Sequence, residues 1–441
     1  MTMKYSARIL VPVVAAVALA GGVLGYAWWQ LSTVQRQLQE QVRTIAERED
    51  AITSSGSGSA AVNDYIDSGD IVLVHLRQGD ILGLRGDWAA AEKEYQISVN
   101  AGGGIPALRK LASAQIQRRE IPQVRETIRE LRRLGARSED LLLLDVIVAL
   151  RTGELVQAQQ ALASAQDSPQ KHYGSALLAI IKEEHELAKQ ELAAVIGGWD
   201  PALRSYGRIL RSAYDEFALF PESRAAHLTA LLARALAQVQ ECELALPLIA
   251  GVVKEEDDYR DAWMVQGYCE LITERAPEAL DSLNKAYSID PEKPEIQYFL
   301  GRAHMALNQW TNASTFFQYA LVNGFEPKKE LRERLAEAAE NAQDLPLALE
   351  QYRALIAEPG SDINIFERTI SLALETGKNE DAYQFAQSAV KKWPDNARIM
   401  EMLGWSAAET GRKDEAKAAL EKATLLDPEL ESARERLNTL K

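Results

Sequence analysis

"LGWSAAETGRKDEAKAALEKATLLDPE", residues 403–429, sets small residues at regular places in a charged, leucine-rich stretch: Gly404, Gly411, Ala416 and Ala423, closed by Pro428. Thirty-four residues earlier, Gly377, Ala382, Ala389 and Pro394 repeat the last four. A fixed period of that length marks an array of like units. Working outward, units start at 226, 260, 294, 329, 363 and 397, spaced by 34 or 35 residues. They align on a pattern with a small residue at position 8, a larger one at 11, small ones at 20 and 27, a bulky one at 24 and Pro near 32. Position 20 reads Ala245, Ala279, Ala313, Ala348, Ala382 and Ala416; position 24 reads Ile249, Leu283, Phe317, Tyr352, Ala386 and Leu420. "AWMVQGYCELITERAPEALDSLNKAYSIDP", residues 262–291, fits the pattern best.

The spacing has a physical cause. Two antiparallel helices of this size cannot bury their apolar faces alone, so they stack. Small residues let helix axes approach to about 8–10 Å, and bulky ones fill the gaps between them. Proline lacks an N–H and clashes with the preceding turn, so it stops the second helix. Leu and Ala dominate, and Gly and Pro fall between periodic segments, which makes the body all-α.

On this six-fold register the chain resembles the tetratricopeptide-repeat family, in its membrane-anchored bacterial form. The resemblance implies an α-α superhelical solenoid. It covers 226–430 as six regular repeats, with 431–441 as a capping helix. Looser repeats fill 66–225, with starts at 72, 105, 139 and 169. "RSYGRILRSAYDEFALFPES", residues 204–223, breaks the register and reads as an irregular extra helix near 203–220.

Residues 1–8 form a short tail. Ile9–Trp29 then runs 21 residues without a charge. At about 1.5 Å per residue that length crosses a hydrocarbon core of roughly 30 Å. Trp28 and Trp29 close it, where indoles favour the membrane interface. A cleaved leader ending at Ala18-Leu19-Ala20 is the competing reading; the apolar run continues nine residues past Ala20, which favours an anchor. Lys4 and Arg8 precede the span and hold the N-terminus in the cytoplasm, with the repeats on the extracytoplasmic side. Leu31, Val34, Leu38, Val42 and Ile45 predict an amphipathic helix over 30–52, a weak homo-oligomer contact through 31–52. Residues 53–65 contain "TSSGSGSA", a flexible linker by composition, native or engineered.

The resemblance implies a concave face lined by positions 2, 5, 9, 12 and 13 of each first helix. It places Met264, Tyr268, Leu271, Tyr298, Arg302 and Met305 there. Glu333, Glu337, Glu340, Glu367, Glu375, Glu401, Glu409 and Trp405 follow farther along. That gradient suits a protein or peptide with apolar anchors and a basic flank. Some family members grip a carboxylate tail with Lys and Asn; the first repeat here offers Leu76 and Asp80, which argues against that ligand.

Residues 105–138 run against the chain's net charge of −15. Arg109, Lys110, Arg118, Arg119, Arg125, Arg129, Arg132, Arg133 and Arg137 face three glutamates, a net +6. Such a patch suits anionic headgroups or an acidic partner; a solvated helix face paired with acidic neighbours is the other reading. Net acidity argues against nucleic acid as the main ligand. Cys242 and Cys269 sit on adjacent helices, so a disulfide is one expectation and two buried thiols the other. No phosphate loop, HExxH, GxSxG or CxxC occurs, so no enzyme, cofactor or metal site is expected. The chain reads as a membrane-anchored scaffold for envelope assembly, secretion or complex maturation. A cytosol-facing precursor receptor and a regulatory subunit of a membrane enzyme or glycan-handling complex are the alternatives.

Overall fold

The computed structural model describes residues 71–440, apart from positions 221 and 359. The expected membrane span (9–29), amphipathic helix (30–52) and linker (53–65) lie outside the described residues. Among the described residues no helix is long and apolar enough to cross a membrane, and all regular structure is helical.

The described residues contain 22 helices, which fall into two units divided at residue 144/145. The first unit holds α1 (Ile71–Leu84), α2 (Trp88–Asn100), α3 (Gly104–Gln117), α4 (Ile121–Arg133) and the start of α5 (Ser138–Arg151). Its core joins Ala91 and Tyr95 of α2, Leu108, Leu111 and Ala114 of α3, Leu131 of α4 and Leu141. The Tyr95 hydroxyl donates to Asp80 at 2.7 Å.

The second unit continues with α6 (Leu155–Ser164), α7 (Pro169–Ile181), α8 (His185–Gly197) and the 18-residue α9 (Pro201–Ala218). Six helix pairs follow: α10 (Ala225–Gln238) with α11 (Cys242–Glu255), α12 (Arg260–Ile272) with α13 (Ala276–Ile289), α14 (Pro294–Ala306) with α15 (Trp310–Val322), α16 (Lys328–Asn341) with α17 (Leu345–Ile356), α18 (Ile363–Glu375) with α19 (Asn379–Lys392), and α20 (Ala397–Glu409) with α21 (Lys413–Leu426). The last helix, α22 (Glu431–Thr439), lays Ala433 and Leu437 against Met400 and Leu420. Each pair packs on the next, and α9 stands alone: it packs on α8 and directly on α10, with no partner helix between.

Inside each pair the eighth position meets the twenty-fourth. A β-carbon added at Gly267, Gly301 or Gly404 would lie 2.5 Å from Leu283, Phe317 or Leu420 respectively. That is far inside van der Waals contact, so only a bare Cα fits. The pair starting at 363 exchanges the sizes: Ile370 is the large partner and Ala386 the small one, both fully buried. This departs from the small-residue pattern at the eighth position but fills the same space.

The turn within each pair has one residue at positive φ: Gln240, Glu274, Asn308, Gln343, Gly377 and Gly411. Here the chain reverses through a left-handed residue, and the next N–H reaches five residues back, as from Arg275 to the Glu270 carbonyl at 2.8 Å. A β-carbon costs about 1–2 kcal/mol in that conformation. Four of the six repeats carry that cost with a non-glycine residue.

Two expectations about stability follow, both read from urea midpoints. Gly301→Ala should destabilise by about 1–3 kcal/mol through overpacking against Phe317. Glu274→Gly should stabilise by roughly 0.5–1 kcal/mol, the left-handed cost removed less the extra chain entropy. A neutral Gly301→Ala would show that the pairs tolerate a wider spacing.

Candidate binding surfaces

The first helices of successive pairs lie side by side, α12 against α14 and α18 against α20. Along α12 and α14 this face carries a continuous apolar strip. Met264, Leu271 and Phe299 all pack against the core cluster of Leu283, Ala286, Ile296, Leu300 and Ala303. Tyr268 sets its ring 5.2 Å from that of Phe299, and Phe299 and Met305 both pack against the next core cluster, around Tyr298 and Phe317. Met264, Tyr268, Leu271, Phe299 and Met305 are all half-buried, so each keeps an open side. Phe299 is the member the repeat positions did not single out; its aromatic ring next to the core Leu300 was the available signal.

Tyr298 does not belong to that open strip. It is 3 % exposed and its ring stacks on Phe325 at 4.1 Å. Its hydroxyl donates to Glu330 at 2.6 Å. Burial together with that carboxylate raises its pKa above the usual phenol range. Phe325 follows the α15 turn and folds over the ring, a tertiary contact that repeat position alone does not encode. Arg302 sits above Tyr298, its guanidinium carbon 6.0 Å from the ring centre.

Farther along, the acidic stripe is partly consumed within the chain. Glu401 is 1 % exposed, held by Arg398 at 2.5 Å and Arg436 at 3.3 Å, so it is a core anchor and not a groove charge. Arg436 of α22 also lies 3.6 Å over the Trp405 ring, covering one of its faces. Arg368 bonds Glu340 at 2.7 Å and Glu375 at 3.0 Å. Glu337 pairs with Arg334 at 3.3 Å. Glu333 has only Lys329, at 4.0 Å. Burial raises the carboxyl pKa of Glu333 and Glu367 above the ordinary range.

The basic segment is threaded with carboxylates. Lys110 meets Asp80 at 2.8 Å, Arg109 meets Asp140 at 3.5 Å, and Arg118 meets Glu92 and Glu120. Arg129 pairs with Glu126, Arg133 with Glu130 and Arg137 with Asp140. Arg119, Arg125 and Arg132 also have interaction partners. The acidic side chains of α1, α2 and α5 supply part of this neutralisation, which a count over 105–138 leaves out.

Cys242 and Cys269 are free thiols, each fully buried, so the expected disulfide is not formed. Each fills a tight interhelical position as a small apolar side chain would. Among the described residues no group of three His, Cys, Asp or Glu side chains is placed to hold a metal ion. His75 and His172 instead meet Glu94 and Glu191, each at 2.6 Å, between the two helices of a pair.

Glu270 is a buried carboxylate that sequence position does not reveal. It is 6 % exposed, accepts from Ser282 at 2.6 Å and from Gln266 at 3.1 Å, and lies near Arg275 and Glu278. Burial outweighs those hydrogen bonds and raises its pKa. The Gln266 carbonyl oxygen beside it is buried without a partner.

Stacked helix pairs with an open first-helix face define an α-helical repeat architecture. Residues 230–294, 298–363 and 373–440 match the tetratricopeptide-repeat family, and the chain carries tetratricopeptide repeats over those residues. Among solved structures it is similar to YrrB, described as a repeat protein of this family with an unusual peptide-binding site. That match is 17 % identical, covers 42 % of this chain and 96 % of the other, and has a TM-score of 0.37. A tetratricopeptide-repeat protein from Parabacteroides merdae is 16 % identical over 60 % of this chain and 98 % of its own, with a TM-score of 0.32. PilW, described as a widely conserved type IV pilus biogenesis factor, is 19 % identical over 49 % and 99 %, with a TM-score of 0.32. No curated protein matches the chain.

The buried carboxyl of Glu270 makes stability depend on pH. Unfolded, it ionises near the ordinary value of about 4.3. Folded, it holds its proton to higher pH, so the native state binds more protons between the two values. Stability therefore falls as pH rises through that window. Glu270→Gln, whose amide can donate to the orphaned Gln266 oxygen, should raise the melting temperature at pH 8. The gain should shrink toward zero as pH falls to 4, measured by scanning calorimetry at each pH.

Proposed function

We propose that this protein is a non-catalytic scaffold that grips a partner protein by an apolar segment laid across α12 and α14, with basic residues continuing toward α16–α20. The observation that carries this reading is the half-buried strip of Met264, Tyr268, Leu271, Phe299 and Met305. Methionines and aromatics there can repack around an apolar anchor. Glu333, Glu367 and Glu409 extend the same face with carboxylates that no short ion pair occupies. A basic flank would recover part of their desolvation cost.

The reading also places the scaffold at a membrane, held by residues 9–29 with the repeats on the extracytoplasmic side. The 21-residue uncharged run and the interfacial tryptophans support this. Envelope assembly, secretion or complex maturation is the setting such an anchored scaffold serves. Protease treatment of sealed vesicles tests the topology: repeats digested before permeabilisation would place them on the cytosolic side instead.

Replacing both Met264 and Met305 by Glu should weaken partner binding at least tenfold, about 1.4 kcal/mol, with helicity unchanged by circular dichroism. A photo-crosslinker at Met264 should capture partners, and one at Val322, 85 % exposed on the second helix of a pair, should not. Equal capture at both positions would rule out the α12–α14 strip.

A further inference from the structure

A helix in such a stack meets its neighbours and its next-but-one. Arg151, the last residue of α5, does more: it reaches the turn between α10 and α11, 90 residues along the chain. Its Nε donates to Glu241 Oε2 at 2.9 Å and its Nη2 to Glu241 Oε1 at 3.2 Å. The same Nη2 donates to the Gln240 carbonyl at 3.2 Å, and the Glu243 carboxylate stands 3.8 Å away. The Arg151 and Glu241 side chains are only 2 % and 6 % exposed. This is a two-pronged ion pair removed from water.

Two tyrosines stand close to the pair. Tyr173 of α7 and Tyr206 of α9 lie ring to ring at 6.0 Å. Gly174 abuts Val146, which sets α7 directly beside α5. First helices α5, α7 and α9 therefore present one basic fork and two tyrosines. The Tyr173 hydroxyl is buried and has no hydrogen-bond partner. What covers this face is a turn carrying Glu241 and Glu243. The charge match is that of a ligand with its site, and the ligand is part of the same chain.

Closure of this kind is delicately balanced. Two ions lose their hydration to form the pair, which cancels much of their attraction. An orphaned hydroxyl adds to the cost. Tethering favours the closed form by keeping the turn at high local concentration. A free segment with the same carboxylates competes on those terms.

We propose that the α10–α11 turn is a tethered acidic ligand, a latch on the α5–α7–α9 face that an acidic peptide segment of a partner displaces. This surface is distinct from the α12–α14 strip and stands or falls separately.

The test uses the full-length protein and a synthetic peptide of residues 238–246 with Cys242→Ser. The double variant Glu241→Gln, Glu243→Gln should bind the peptide at least tenfold more tightly than the wild type. A peptide with both glutamates changed to Gln should not bind. Hydrogen exchange of residues 146–152 and 172–180 should speed up at least tenfold in the variant and slow again with the acidic peptide. Equal binding by variant and wild type, or no binding by either, overturns the proposal. Should the variant fail to fold, exchange of the wild type in low denaturant decides. Amides of 148–153 and 238–244 opening in one shared step support the latch, and independent opening refutes it.

Discussion

Close approach within each helix pair is the constraint on which the rest depends. A bare Cα at Gly267, Gly301 or Gly404 receives the side chain of Leu283, Phe317 or Leu420. Moving those helices apart by one methyl group would open gaps along the whole pair, and the next pair packs on the surface that this contact shapes. Ile370 and Ala386 show that the requirement is combined volume, not glycine itself. Because each pair is thin, its stability comes largely from its neighbours. A defect therefore passes along the stack.

Among the described residues the alternation of helices is broken once, at α9, and the consequence is local and polar. With no second helix after α9, α10 packs on it directly. The turn after α10 meets the end of α5, and a carboxylate meets a guanidinium out of water. Elsewhere, carboxylate–guanidinium pairs bridge neighbouring repeats at half-exposed sites, as between Arg368 and Glu340 or Arg412 and Glu380. Such exposed pairs contribute little each. The Arg151 pair differs because burial removes the screening.

Binding capacity is set by what the core leaves over. The α12–α14 strip stays open because Met264, Tyr268, Leu271 and Met305 are only partly buried. Tyr298, at an equivalent repeat position, is lost to the core because Phe325 folds over it. Glu401 and Trp405 are claimed by Arg436 of the terminal helix. One loss comes from within the unit, where Phe325 stands at position 32 in place of the usual proline, and the other from the capping helix, which lies outside the repeats.

Periodicity was enough to establish an all-helical stack, its phase from 226 onward, its small-residue contacts and the extra helix near 203–220. These depend on spacing along one chain, and spacing is written in the sequence. Which groove residues remain open, which charges of 105–138 are already neutralised, and where Glu270 and Arg151 are buried depend on neighbours distant in sequence. Arg151 and Glu241, 90 residues apart, share no motif. Only the packed chain decided that they meet, because burial and pairing belong to the space between helices and not to either helix alone.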